Sequence, residues 1–220
     1  MTRAAEHPQV IVGVGPPGGE PDPAAVARAA GVLRAGRVVA LPTDTVYGLA
    51  ALPGVEGATA RLFALKRRAA DVPVAVLCAA ADQALALADP GAVSDEVRRI
   101  ADRLWPGPLT LVLPRRAGLG YALGEPSATI GLRCPDHRLV RALAAEVGPL
   151  ATTSANLHGG PTPPTAGGVA ALFGPDLGLV LDGGRCAAPP STVVEAGGEG
   201  WRLLRAGALG LPDVEAAAAS

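Results

Sequence analysis

Residues 37–49 read RVVALPTDTVYGL, a short β-branched run that breaks into a stretch of hydroxyls around one carboxylate. The apolar half, 37–41, is too short for a helix and lacks polar alternation, so it predicts a strand buried on both faces. The half that follows predicts a loop at the strand's end, where α/β sheets place ligand contacts. The hydroxyls of Thr43 and Thr45 suit a small polar ligand. Equally, Thr and Asp here can cap a following helix and satisfy loop amides.

Outward from this stretch, strand and helix patterns interleave. Residues 23–35 predict a helix, with Asp22 as N-cap, Pro23 at its first position and Gly36 as its stop. Further helices are expected at 58–66, 81–88, 94–104, 137–147 and 165–173. Strands are expected at 74–77, 109–113, 128–132, 150–153 and 177–181, with short ones near 192–195 and 202–204. The alternation predicts an α/β fold: a single-domain twisted sheet, mixed rather than purely parallel, with helices packed around it. Its expected span is 23–212. Residues 1–22, rich in Gly and Pro, read as a loose arm with a short strand at 10–14, and 213–220, ending EAAAAS, as a frayed tail.

Composition narrows the function classes. Nineteen basic residues face 20 acidic ones, whereas a chain built to grip a phosphate backbone carries a basic excess. Nucleic acid is therefore disfavoured as the primary ligand. Cys78, Cys134 and Cys186 are scattered and odd in number, and His7, His137 and His158 lack ligand spacing. This fits reduced thiols in a cytoplasm better than a disulfide framework or a zinc site. MTRAAEHPQV is not an apolar leader and no run is long enough to span a membrane, so a soluble cytoplasmic protein is the default expectation.

The basic residues are 18 arginines and one lysine, Lys66. In an arginine-biased sequence the surviving lysine marks a place where a guanidinium does not substitute for an ammonium. It opens Lys66-Arg67-Arg68, which reads either as a solvated helix end or as a clamp on a polyphosphate or carboxylate. No GxxxxGK[ST] is present, so any ATP site is not a P-loop. Thr152-Thr153-Ser154-Ala155-Asn156, at another strand end, suits phosphate oxygens or a sugar, or else a turn and cap. Arg133, Ser191-Thr192 and Arg205 add hydroxyls and cations. Taken alone, these residues describe an α/β anion-binding protein.

Taken in order, LPTDTVYGLAA (41–51), KRR (66–68), WPGPLTLVL (105–113), GLRCPDH (131–137), TTSAN (152–156), ST (191–192) and LLRAG (203–207) resemble the YrdC/Sua5 family over residues 24–210. The resemblance implies a YrdC-like sheet enclosing a large cationic cavity. It also implies synthesis of L-threonylcarbamoyl-AMP from L-threonine, bicarbonate and ATP with release of pyrophosphate. That product feeds a tRNA threonylcarbamoyl transferase that makes threonylcarbamoyladenosine. On matching positions, Lys66, Arg68, Thr129, Ser154, Asn156, Thr162 and Arg205 would contact ATP, with Lys66 and Arg68 on its phosphates. Thr43, Arg133, Thr152 and Ser191 would contact threonine or bicarbonate, and Mg2+ would be held through the ATP phosphates. A family His that touches threonine has no counterpart here, where Val72-Pro73-Val74 and Leu77 stand. A divergent paralogue that binds nucleotide or RNA without making the adenylate would share these motifs.

Overall fold

The computed structural model describes residues 11–13, 19–67, 72–124, 128–157, 159–197 and 200–219. Its first helix starts as the sequence dictates: the Asp22 carboxylate accepts from the Ala24 N–H at 2.9 Å, and Gly36 ends the turn at φ 71°. The helices are α1 (Pro23–Arg34), α2 (Ala58–Lys66), α3 (Ala81–Leu85), α4 (Asp95–Leu104), α5 (Arg138–Val147), α6 (Ala166–Phe173) and α7 (Leu211–Ala219). Ser94 and Thr165 cap α4 and α6 through their hydroxyls, as Ser and Thr do at N-termini.

The strands are β1 (Ile11–Gly13), β2 (Val39–Leu41), β3 (Gly48–Ala51), β4 (Ala75–Leu77), β5 (Leu109–Pro114), β6 (Thr129–Arg133), β7 (Leu150–Ser154), β8 (Leu179–Asp182), β9 (Thr192–Gly197) and β10 (Gly200–Arg205). They form one sheet in the order β1-β8-β2-β3-β7-β4-β6-β5-β9-β10. Pairings β1–β8, β2–β8, β4–β6 and β5–β9 are parallel and the others antiparallel, so the sheet is mixed.

Two apolar layers sandwich it. One gathers α2, α3, α4, α6 and α7 on Leu49, Val76, Leu111 and Leu132. The other sets α1 and α5 on Val39, Leu41, Ala50, Leu77, Leu150 and Leu181. The second layer includes no residue of β5, β6, β9 or β10. Among the described residues, that face of the sheet therefore lacks helical cover beyond β4.

Two expectations are corrected. The stretch 42–47 leads into strand β3 and not into a helix, because Gly48–Ala51 pairs on both edges, with β2 and with β7. The tail is not frayed: α7 buries Val214, Ala217 and Ala218, and Arg99 and Arg103 of α4 donate to its last carbonyls (Ala218 at 2.7 Å, Ala217 at 3.2 Å). Those guanidinium groups satisfy carbonyls a helix C-terminus leaves open and oppose its negative pole.

Candidate active site

Cross-strand pairs in register share one face of a sheet. Gly48 pairs Ser154, Ala50 and Ala75 both pair Thr152, and Val112 pairs Gly131. A Cβ on Gly131 would meet Thr110 Cγ2 at 3.5 Å and the Ala75 Cβ at 3.7 Å. Gly48, Ser154, Thr152, Ala75 and Gly131 thus line the face that α1 and α5 leave open, and two-residue alternation adds Thr129 and Arg133 to it. Ser154, Ala75, Gly131, Thr129 and Val112 remain half-exposed although most lie on interior strands. The result is a floor of small side chains rimmed by polar ones.

At one rim sits Lys66. It belongs to α2, on the opposite layer, and its ammonium reaches the end of β7. There Nζ donates to Thr153 Oγ1 (2.7 Å), Ser154 O (2.8 Å), Ser154 Oγ (2.9 Å) and Asn156 Oδ1 (3.0 Å), with only 3% of the residue exposed. Asn156 Nδ2 in turn donates to Gly160 O at 2.6 Å. A compact ammonium between oxygens in several directions is a geometry a planar guanidinium does not reproduce.

At the other rim sits Arg133. Its Nε donates to Gly107 O (3.1 Å), one terminal nitrogen to Thr45 Oγ1 (3.1 Å) and the other to Asp44 Oδ1 (2.6 Å). Those bonds account for three of its five N–H groups and hold the fork in place. Burial lowers the pKa of Arg133, and the Asp44 carboxylate opposes that shift. Thr43 turns its hydroxyl into its own loop, accepting from the Thr45 and Val46 amides and donating to Val46 O at 2.6 Å. The loop-amide role expected of these hydroxyls is present, without the helix.

Ser191 forms the third cluster. Its Oγ lies 3.0 Å from Thr110 Oγ1 and accepts from Arg205 at 2.8 Å, while Arg205 also donates to Ser191 O. Thr110 lies next to Leu111, the register partner of Leu132, which brings this cluster beside Arg133. Residues 183–190 join the clusters as a strap: Tyr47 Oη donates to Gly184 O (2.7 Å), and the Ala188 N–H donates to Thr45 O (3.1 Å). Burial pushes the Tyr47 phenol well above its ordinary pKa.

The structure therefore brings together Thr43, Lys66, Arg133, Thr152, Ser154, Asn156, Ser191 and Arg205. Among the described residues, no hydrogen bond of these clusters involves Thr129, which opens β6 on the floor, or Thr162, half-buried before α6. Arg68 lies outside the described residues. Sequence reasoning singled out the loops that hold Asp44 and Thr153 without pairing them with Arg133 and Lys66, and it missed Thr110, Tyr47 and the floor position Gly131. The two-residue spacing of Thr129, Gly131 and Arg133 was the available signal for the floor. No cluster of three His, Cys, Asp or Glu able to hold a metal occurs among the described residues.

Comparison with known proteins identifies the family. The family described as Telomere recombination (Sua5/YciO/YrdC) matches residues 31–207. The threonylcarbamoyl-AMP synthase of Pyrococcus abyssi is 37% identical over 189 residues, covering 85% of this chain and 55% of that protein, so the chain spans about half that relative's length. A Shigella boydii threonylcarbamoyl-AMP synthase is 38% identical over 164 residues, 73% of this chain and 86% of that one. The structure of P. abyssi Sua5 complexed with L-threonine superposes with a TM-score of 0.86 at 35% identity, covering 95% of this chain and 61% of that chain.

Proposed function

This chain belongs to the Sua5/YciO/YrdC family, and we propose that it makes L-threonylcarbamoyl-AMP from L-threonine, bicarbonate and ATP, releasing pyrophosphate. The observation that carries this reading is the open floor between β7 and β6, with a buried ammonium at one rim and a braced guanidinium at the other. Threonine's amine takes up the carbon of bicarbonate, water leaves, and a carbamate oxygen then attacks the α-phosphorus in line as pyrophosphate departs. Both reactants are anions, so such a site contributes charge and alignment rather than a nucleophile of its own.

In this reading the two uncommitted N–H groups of Arg133 take the threonine carboxylate, and Thr43, Thr152 and Ser191 contact threonine or its carbamate. Lys66, Ser154 and Asn156 face the phosphates, and Arg68 is assigned to them by the family resemblance alone. Thr129, Thr162 and Arg205 flank the nucleotide. Magnesium on the phosphates would neutralise part of their charge. The floor suits this assignment because Gly131 and Ala75 leave space where larger side chains would fill it. The product would pass to a tRNA threonylcarbamoyl transferase, and a cytoplasmic setting follows from that role. A near-neutral chain with two tryptophans lends no support to tRNA as a primary ligand.

The test is pyrophosphate release from Mg-ATP with and without L-threonine and bicarbonate, the adenylate being identified by mass spectrometry. Release that requires both co-substrates is expected. Bound ATP without release would replace this reading with that of a nucleotide-binding paralogue.

A further inference from the structure

The adjacent cations Lys66 and Arg67 do not act as one group. Lys66 turns inward to β7, whereas Arg67 is exposed and lines a groove of about 560 Å³ bordered by α2 and α6. Arg37 and Arg61 line the same groove, together with Asp176 and the apolar side chains of Leu157 and Phe173. Arg37 gives one N–H to Leu177 O (3.4 Å) and Arg61 one to Gly36 O (2.8 Å). None of the three takes part in the ion pairs among the described residues. Three guanidinium groups thus face one carboxylate.

The backbone of Arg67 is the second observation. It caps α2 in the left-handed conformation, φ 50° and ψ 39°. Among the described residues it is the one non-glycine with positive φ, every other such position being glycine. Glycine is the ordinary occupant of a left-handed cap because a Cβ is strained there. This chain keeps an arginine at that cost, and the side chain lines the groove. A left-handed conformation kept by a non-glycine residue motivates a functional reading.

We propose that this groove is a second anion site that takes a small organic phosphate, of the size and chemistry of a nucleoside diphosphate. The charge excess matches a multiply charged phosphate rather than a monocarboxylate, guanidinium forks match phosphate oxygens, and Leu157 and Phe173 offer an apolar wall to the organic part. The volume is within the range of small-molecule sites. Arg67 directly follows Lys66 and Leu157 directly follows Asn156, so the groove backs onto the turn that holds the proposed phosphate clamp. The assignment rests on the groove's own geometry and not on the proposed reaction.

ADP titration followed by the arginine side-chain Nε–H signals tests it, with Arg37→Gln and Arg61→Gln assigning the two groove signals. Both signals should shift and saturate. Arg67→Gly relaxes the backbone, so its melting temperature should hold or rise while ADP affinity at the groove falls about tenfold. Groove signals that stay still at ADP concentrations saturating the Arg205 signal would overturn the site. So would an Arg67→Gly variant that melts earlier yet keeps the full ADP response. The Arg205 signal, from the Ser191 cluster, reports the proposed catalytic site separately, so failure of one assignment is distinguishable from failure of the other.

Discussion

The ammonium of Lys66 shows what a single side chain contributes here. Its four acceptors are spread over Thr153, Ser154 and Asn156, so the residue orders the turn after β7, and the proposed reaction would add the phosphates to its partners. Lys66→Met should lower turnover on the order of a hundredfold or more, with a loss of stability of about 1–3 kcal/mol from acceptors left unpaired. Steady-state pyrophosphate release and a urea titration measure the two parts, and near-normal turnover would remove Lys66 from the clamp. Arg133→Ala should raise the KM for L-threonine about tenfold or more while leaving ATP affinity near its original value, since it removes a carboxylate partner worth a charged hydrogen bond. Equal losses in both, with ATP binding followed by calorimetry, would contradict that role. That Lys66 holds a place a guanidinium does not fill was legible because it is the lone lysine among arginines. The brace of Arg133 was not: Asp44 lies 89 positions away, and no local pattern encodes a pairing that the fold alone brings about.

Elements were legible where caps and periodicity agreed. Helix α2 occupies the residues its pattern predicts, and α1, α4 and α6 begin at the Asp, Ser and Thr that cap them. Strand β3 was missed because GLAA carries no β-branched residue, and pairing on both edges overrides its weak propensity. Helix α7 was missed because an alanine run is amphipathic only with respect to a partner, which α4 supplies. Val214→Ala should therefore cost about 2 kcal/mol, read as a lowered urea midpoint, whereas a frayed tail would register nothing. The corner after β10 is stricter. A Cβ on Gly207 would fall 2.3 Å from Pro190 O and 2.4 Å from the Thr192 nitrogen, a clash that backbone atoms cannot relieve by rotation. Gly207→Ala should displace the Ser191–Arg205 cluster and lower turnover, with the thermal midpoint falling as well. Unchanged activity would mean that this corner does not position the site.

For the whole molecule, burial of titratable groups sets a pH window. Burial lowers the pKa of His137 below 6.5 and raises those of Cys78, Cys134 and Cys186 above 9.0. A depressed histidine favours the native state above its unfolded pKa, and that contribution is lost as pH falls; raised thiols favour it below theirs, and that contribution is lost as pH rises. The urea midpoint should form a plateau from about pH 6.5 to about pH 9 and decline on both sides. A midpoint still climbing above about pH 9 would contradict the thiol assignment. The mixed α/β class was legible from the alternation of patterns, but the strand order was not, since β8 inserts between β1 and β2 and β9 beside β5 from far along the chain. The same order has a consequence for synthesis. As the polypeptide emerges from the ribosome, β1 has no partner and β2 presents one bare edge until Leu179–Asp182 appears, and β5 waits likewise for Thr192–Gly197. Unpaired edges are templates for intermolecular pairing. The growing chain thus carries two adhesive borders through most of its translation, and chaperone occupancy on stalled nascent chains should fall off only after both late strands have cleared the exit tunnel.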